Sequence, residues 1–214
     1  VNPKSILGYS KKIGENLVHE FYQKSKLKKS LSYTVVRFGN VIGSSGSVIP
    51  IFIDQIKNNK PLTVTSKKSE RYFMSISEAV QLVLQTASLS LGGEIFLLDM
   101  GKPMLIKELA ERMIKLSGNT LKNKENKNGT IEIITTGLRP GEKLYEELLV
   151  EGNVINTIHK KIYISKETDL NDENFWGNIT TLIKNIESNN KIESFKVLKK
   201  LVPEWSQSKL IKDN

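Results

Sequence analysis

The sequence predicts an α/β protein, and three observations carry that prediction. Amphipathic helical stretches alternate with short apolar runs over residues 10–135. One run, Ser-Tyr-Thr-Val-Val-Arg-Phe from Ser32 to Phe38, has the β-branched density of a buried strand. Gly-Ser and Gly-Gly punctuation separates the helical stretches from the strands.

Taken in order, residues from about Ser10 to Lys26 place Ile13, Leu17, Val18 and Phe21 at helical spacing. The strand at Ser32 to Phe38 runs into a glycine-serine loop, Gly39 to Ser47. A helix from about Val48 to Lys57 follows, and Pro50 sits in its first turn, where a missing N–H costs little. Leu62 to Thr65 reads as a short strand. Ser75-Ile76-Ser77-Glu78 is a capping box that opens a helix through Val80, Leu82, Val83 and Leu84. Gly92-Gly93 ends it, and Glu94 to Asp99 is the next strand. Leu105 to Leu116 is amphipathic and stops at Gly118. Asn119 to Gly129 reads as an exposed polar loop, and Thr130 to Thr135 as a strand. Beyond Gly152 the pattern weakens, with a strand at Lys161 to Ser165 and helices at Asn174 to Ile186 and Glu193 to Leu201.

Composition removes several functions. The 214 residues contain no cysteine and two histidines, so thiolate and histidine-cluster metal sites are excluded, and no metal is expected. No run approaches the roughly 18 to 20 apolar residues of a membrane-spanning helix. The net charge of +9 comes from scattered lysines. The densest group, Lys24 to Lys29, falls at a helix end, where cations suit the dipole. With no aromatic-lined basic stripe, no nucleic-acid partner is expected. A polyanionic small ligand would still gain from the positive field.

Two segments have chemical character of their own. Gly-Asn followed by Gly-Ser-Ser-Gly-Ser, ahead of a helix N-terminus, suits close approach of an anionic ligand to the backbone; an ordinary glycine-rich turn has the same pattern. Arg139-Pro-Gly-Glu places a guanidinium on a rigid turn beside a carboxylate, a pairing suited to phosphate and ribose hydroxyl. A plain helix start would look alike.

In their order and spacing, four segments together resemble a known family. They are Leu7-Gly8-Tyr9-Ser10-Lys11-Lys12, the stretch Arg37-Phe38-Gly39-Asn40-Val41-Ile42-Gly43-Ser44-Ser45-Gly46-Ser47-Val48-Ile49-Pro50, Glu70-Arg71-Tyr72-Phe73-Met74, and Arg139-Pro140-Gly141-Glu142-Lys143-Leu144-Tyr145-Glu146-Glu147. Over roughly residues 1 to 150 the chain resembles the polysaccharide-biosynthesis family of UDP-N-acetylglucosamine 4,6-dehydratases, within the extended short-chain dehydrogenases. The resemblance implies the C-terminal portion of a Rossmann-like NAD(P)-binding fold, interleaved with a small α/β substrate-binding lobe. On that scheme residues 1–50 hold the last helix and strand of the Rossmann-like domain. Residues 51–152 form the substrate lobe with a returning strand, and residues 153–214 form a C-terminal extension.

The same resemblance implies NAD or NADP as cofactor, a UDP-amino-sugar substrate and a homo-oligomer. The product would be a UDP-4-keto-6-deoxy amino sugar for surface glycans. Lys11 matches the active-site lysine that also holds the nicotinamide ribose. Val41, Ile42, Gly43, Ser44 and Ser45 match the loop passing the nicotinamide. Asn40 and Val48 match contacts to the substrate's diphosphate and base, Arg139 and Glu142 a uridine-diphosphate clamp, and Arg71 and Thr65 residues near the same phosphates.

Two departures shape the expectation. Most short-chain dehydrogenases place a tyrosine one turn before this lysine, and here that position is Leu7. Tyr9 lies two residues from Lys11, roughly 200° around the helix axis, so it is not expected to replace the missing acid/base. In the membrane-anchored, configuration-retaining branch, proton transfer is assigned to an Asp-Lys pair directly before Val-Asn-Pro. This chain begins at that Val, and G-x-G-x-x-G is absent. Both elements, and any membrane anchor at the cytoplasmic face, are therefore expected upstream, and these residues alone are expected to be inactive. The alternatives are a sugar-nucleotide 4-epimerase, a 5-inverting dehydratase, or a non-catalytic sugar-nucleotide-binding remnant.

Overall fold

A computed structural model describes residues 2–26, 31–147, 154–167 and 174–203. The expected basic cluster beyond Lys26 lies outside the described residues. Helix α1, Ile6–Lys26, starts four residues before the apolar periodicity does. The Ser5 hydroxyl accepts the Gly8 N–H at 3.1 Å and caps the first turn, so a local hydrogen bond rather than an apolar stripe sets the start.

Strand β1, Val35–Arg37, leads to the two-residue β2, Asn40–Val41, and to α2, Val48–Lys57. Then come β3 (Leu62–Val64), β4 (Glu70–Arg71), β5 (Phe73–Met74) and α3 (Ile76–Leu89). Ser75 caps α3 by accepting the Glu78 N–H at 3.1 Å. The reciprocal half of the expected box is missing, because the Glu78 carboxylate pairs with Lys161 at 2.5 Å. Next are β6 (Ile95–Leu98), β7 (Met104–Leu105), α4 (Ile106–Leu116), β8 (Leu121–Lys122) and β9 (Ile131–Thr135). The last elements are β10 (Val154–Asn156), β11 (Ile162–Ser165), α5 (Phe175–Glu187) and α6 (Lys191–Leu201).

The main sheet has the order β1-β6-β11-β10. Strand β1 runs parallel to β6 with Val36 opposite Phe96, and β11 returns antiparallel with Ile162 opposite Leu98. Helix α3 covers this sheet, and Met74, Leu82, Phe96, Leu98 and Ile162 close a core beneath it. A second sheet, β3-β9-β8, is parallel throughout and carries α2 and α4. Its core holds Phe52, Leu62, Val64, Ala110, Ile114 and Ile131. The polar stretch expected to be all loop at 119–129 therefore contains β8, which Leu121 anchors beside that core. A third core joins Tyr9 and Ile13 of α1 to Phe175 and Leu182 of α5 and to Val197 and Leu201 of α6.

Candidate functional site

A cleft of about 700 Å³ opens against α1 and the carboxyl end of β1. One wall is the face of α1 bearing Leu7, Gly8, Lys11, Lys12 and Glu15; residues 35–39 form the floor. The opposite wall is Arg71 with a strap made from residues 141–147, and Pro3, Lys4 and Ser5 close one end. Such a position, beyond the carboxyl end of parallel strands, is where open α/β sheets take ligands.

Lys11 lines this cleft, and Leu7 lies one turn earlier on the same face. Tyr9 is only 2% exposed and packs away from the cleft among the C-terminal helices. Tyr9 therefore does not line the cleft.

Arg71 and Glu142 also line the cleft. Glu142 accepts the Thr65 hydroxyl at 2.7 Å and the Arg139 backbone N–H at 3.1 Å, so both of those residues reach the site through it. The Arg139 side chain is exposed and is not among the lining residues. Arg71 is engaged from several directions. Its Nη1 donates to the carbonyls of Glu70 at 2.7 Å and Leu144 at 3.2 Å, and its Nη2 donates to the Lys143 carbonyl at 2.8 Å. The Glu146 carboxylate sits 3.2 Å from Nε, and Glu142 lies 3.6 Å from Nη2. Here Arg71 fastens the strap.

Asn40, Val41, Ile42, Gly43, Ser44, Ser45 and Val48 lie beyond Gly39, outside the lining of the cleft. Their loop spends much of its expected donor capacity on itself. The N–H groups of Asn40 and Ile42 go to the carbonyls of Tyr72 and Met74, and Ser44 and Ser47 donate within the turn. Ser47 begins α2 without a side-chain cap, and its hydroxyl is buried with no partner among the described residues.

The charged floor of the cleft is what sequence reasoning missed. Arg37 is 8% exposed at its side chain, and both edges of its guanidinium are forked onto carboxylates. Nε and Nη2 donate to Glu15 at 2.6 and 2.7 Å, and Nη1 and Nη2 donate to Glu167 at 2.6 and 2.8 Å. Lys12 adds contacts of 3.5 Å to Glu15 and 3.6 Å to Glu167. Burial pulls the Arg37 pKa down, but hydrogen bonds and charge from the two glutamates outweigh it and raise the pKa above its ordinary value. A signal was present: an arginine inside the apolar run Val-Val-Arg-Phe, once buried, calls for a carboxylate partner.

Gly141 has a φ of +75°, and a Cβ built there would stand 2.5 Å from the Lys4 carbonyl oxygen. Both the backbone conformation and the close approach of strap to N-terminal segment exclude a side chain. Gly141→Ala is expected to cost about 2 kcal/mol. Thermal unfolding checks this, and an unchanged midpoint would mean that the strap is not seated on residue 4.

Residues 1–167 match the family described as polysaccharide biosynthesis protein. The chain belongs to that family. Over 167 residues it is 46% identical to the capsular polysaccharide biosynthesis protein CapD of Staphylococcus aureus, covering 78% of this chain and 26% of CapD. A UDP-glucose 4-epimerase of Rickettsia bellii is 35% identical over 149 residues, 70% of this chain and 40% of the epimerase. Among solved structures, Pen from Bacillus thuringiensis superposes with a TM-score of 0.66 at 34% identity, covering 77% of this chain and 49% of Pen. The chain thus spans between a quarter and a half of the length of these relatives, and it shares their Rossmann-like α/β fold.

Proposed function

We propose that this chain is the substrate-binding part of a nucleotide-sugar-modifying enzyme, acting as a UDP-N-acetylglucosamine 4,6-dehydratase. The observation that carries the reading is the convergence of Lys11, Arg71 and Glu142 on one cleft, in a chain of the polysaccharide-biosynthesis family. A nucleoside diphosphate suits the strap, because Arg139 just before it has an exposed side chain and gives its backbone N–H to the Glu142 carboxylate. The glutamate is already turned to hydrogen-bond acceptance, which suits a ribose hydroxyl.

NAD or NADP would accept hydride from the sugar and return it after water is lost. Lys11 fits such a group: it is a cation exposed on the cleft face of α1, and its ammonium donors would suit ribose hydroxyls. Its charge would also favour the ionised form of a neighbouring acid. Asn40 to Ser45 and Val48 belong to the proposal as the loop and helix start beside the nicotinamide and diphosphate. Self-association, and attachment at the cytoplasmic membrane face through residues upstream of Val1, belong to it as well. No helix among the described residues is long and apolar enough to cross a membrane.

Leu7 favours dehydratase over epimerase. With an apolar side chain one turn before Lys11 and Tyr9 buried elsewhere, α1 offers no phenol to exchange a proton with the sugar's O4. The test is to incubate the intact protein with UDP-N-acetylglucosamine and NAD or NADP and to weigh the product. Loss of one water supports the dehydratase, whereas an isomer of unchanged mass makes it an epimerase. Lys11→Met is expected to lower turnover roughly 100-fold. Full turnover in that variant would remove Lys11 from the chemistry.

A further inference from the structure

Resting on the sugar-nucleotide reading above, we propose that Glu146 is an internal anion that a phosphate of the ligand displaces from Arg71. A guanidinium has five N–H donors, and the edge made by Nε and Nη2 is one of two that can fork onto phosphate or carboxylate. In Arg71 that edge faces Glu146 at 3.2 Å and Glu142 at 3.6 Å, while the remaining donors hold strap and backbone carbonyls. Two carboxylates thus confront one guanidinium, leaving surplus negative charge where a phosphate would bind.

The two glutamates are not held equally. Glu142 has the Thr65 hydroxyl and the Arg139 N–H as further donors, and its side chain is 21% exposed. Glu146 meets Arg71 through Nε, and its side chain is 33% exposed, so it can swing into water at little cost. The exchange swaps one anion for another on the same N–H while Arg71 keeps its hold on the Lys143 and Leu144 carbonyls. The strap therefore need not open. Glu146 keeps Arg71 compensated without ligand and lowers affinity for every ligand that needs that edge.

The test is calorimetric titration of UDP and of uridine into the intact protein and its Glu146→Gln variant. Removing the competing charge is expected to tighten UDP roughly twofold to fivefold, the range of a partly exposed ion pair, and to leave uridine unchanged. In an Arg71→Lys background, where the forked edge is gone, Glu146→Gln should bring no gain. Unchanged or weaker UDP binding by Glu146→Gln overturns the exchange while leaving the sugar-nucleotide reading in place. An equal gain for uridine also overturns it, because the effect would then be a looser strap. If neither protein binds UDP, the reading beneath fails and the exchange fails with it.

Discussion

Replacing Phe96 with alanine is expected to destabilise the protein by about 4 kcal/mol, the range for removing a fully buried phenylalanine. Phe96 is completely inaccessible, in the strand that β1 flanks on one side and β11 on the other. Its ring belongs to the core that Met74, Leu82 and Ile162 close beneath α3, so truncation leaves a cavity that two neighbouring strands and a helix would have to collapse to fill. Urea unfolding measures the loss directly. A change below about 1 kcal/mol would mean that the core relaxes around the gap.

Arg37→Met is expected to cost about 3 kcal/mol, because it strands Glu15 and Glu167 in a site where each side chain is less than a fifth exposed. The triple variant Arg37→Met, Glu15→Gln, Glu167→Gln should recover much of that loss, since it removes the uncompensated charges along with the cation. Equal stability of single and triple variants would show that lost packing, not charge, is responsible. The acid limb gives a second readout. Hydrogen bonds from Arg37, opposed by burial, hold the Glu167 carboxyl below its ordinary value of 4.5. A depressed carboxyl adds stability that is complete above the unfolded-state value and disappears as pH falls through the folded one. Arg37→Met should flatten the loss of stability on acidification below about pH 4.5.

Local pattern made much of this fold legible. Helices α2, α3 and α4, and strands β3, β6 and β9, fall within a residue or two of where periodicity, Gly118 and the Ser75 cap place them. Strands β2, β4, β5, β7 and β8 were not legible, because a two-residue strand has no period and exists only through its partner. The start of α1 was missed because Ser5, not an apolar residue, decides it. In the candidate site the motifs led to Lys11, Arg71 and Glu142. They could not reveal that Arg71 fastens the strap, because that depends on carbonyls of residues about 70 positions away. Nor could they pair Arg37 with Glu167 across 130 residues.

The packing of α1 sets an order of events during synthesis. Tyr9 and Ile13 are buried by Phe175, Leu182, Val197 and Leu201, side chains translated long after them. At ribosomal rates of roughly 5–20 residues per second, the apolar stripe of α1 waits many seconds for its cover. Among the described elements, the helix carrying Lys11 is made first and completed last. A chain truncated before α6 would keep the strands of its two larger sheets while part of that stripe stays wet, open to chaperones and to other nascent chains.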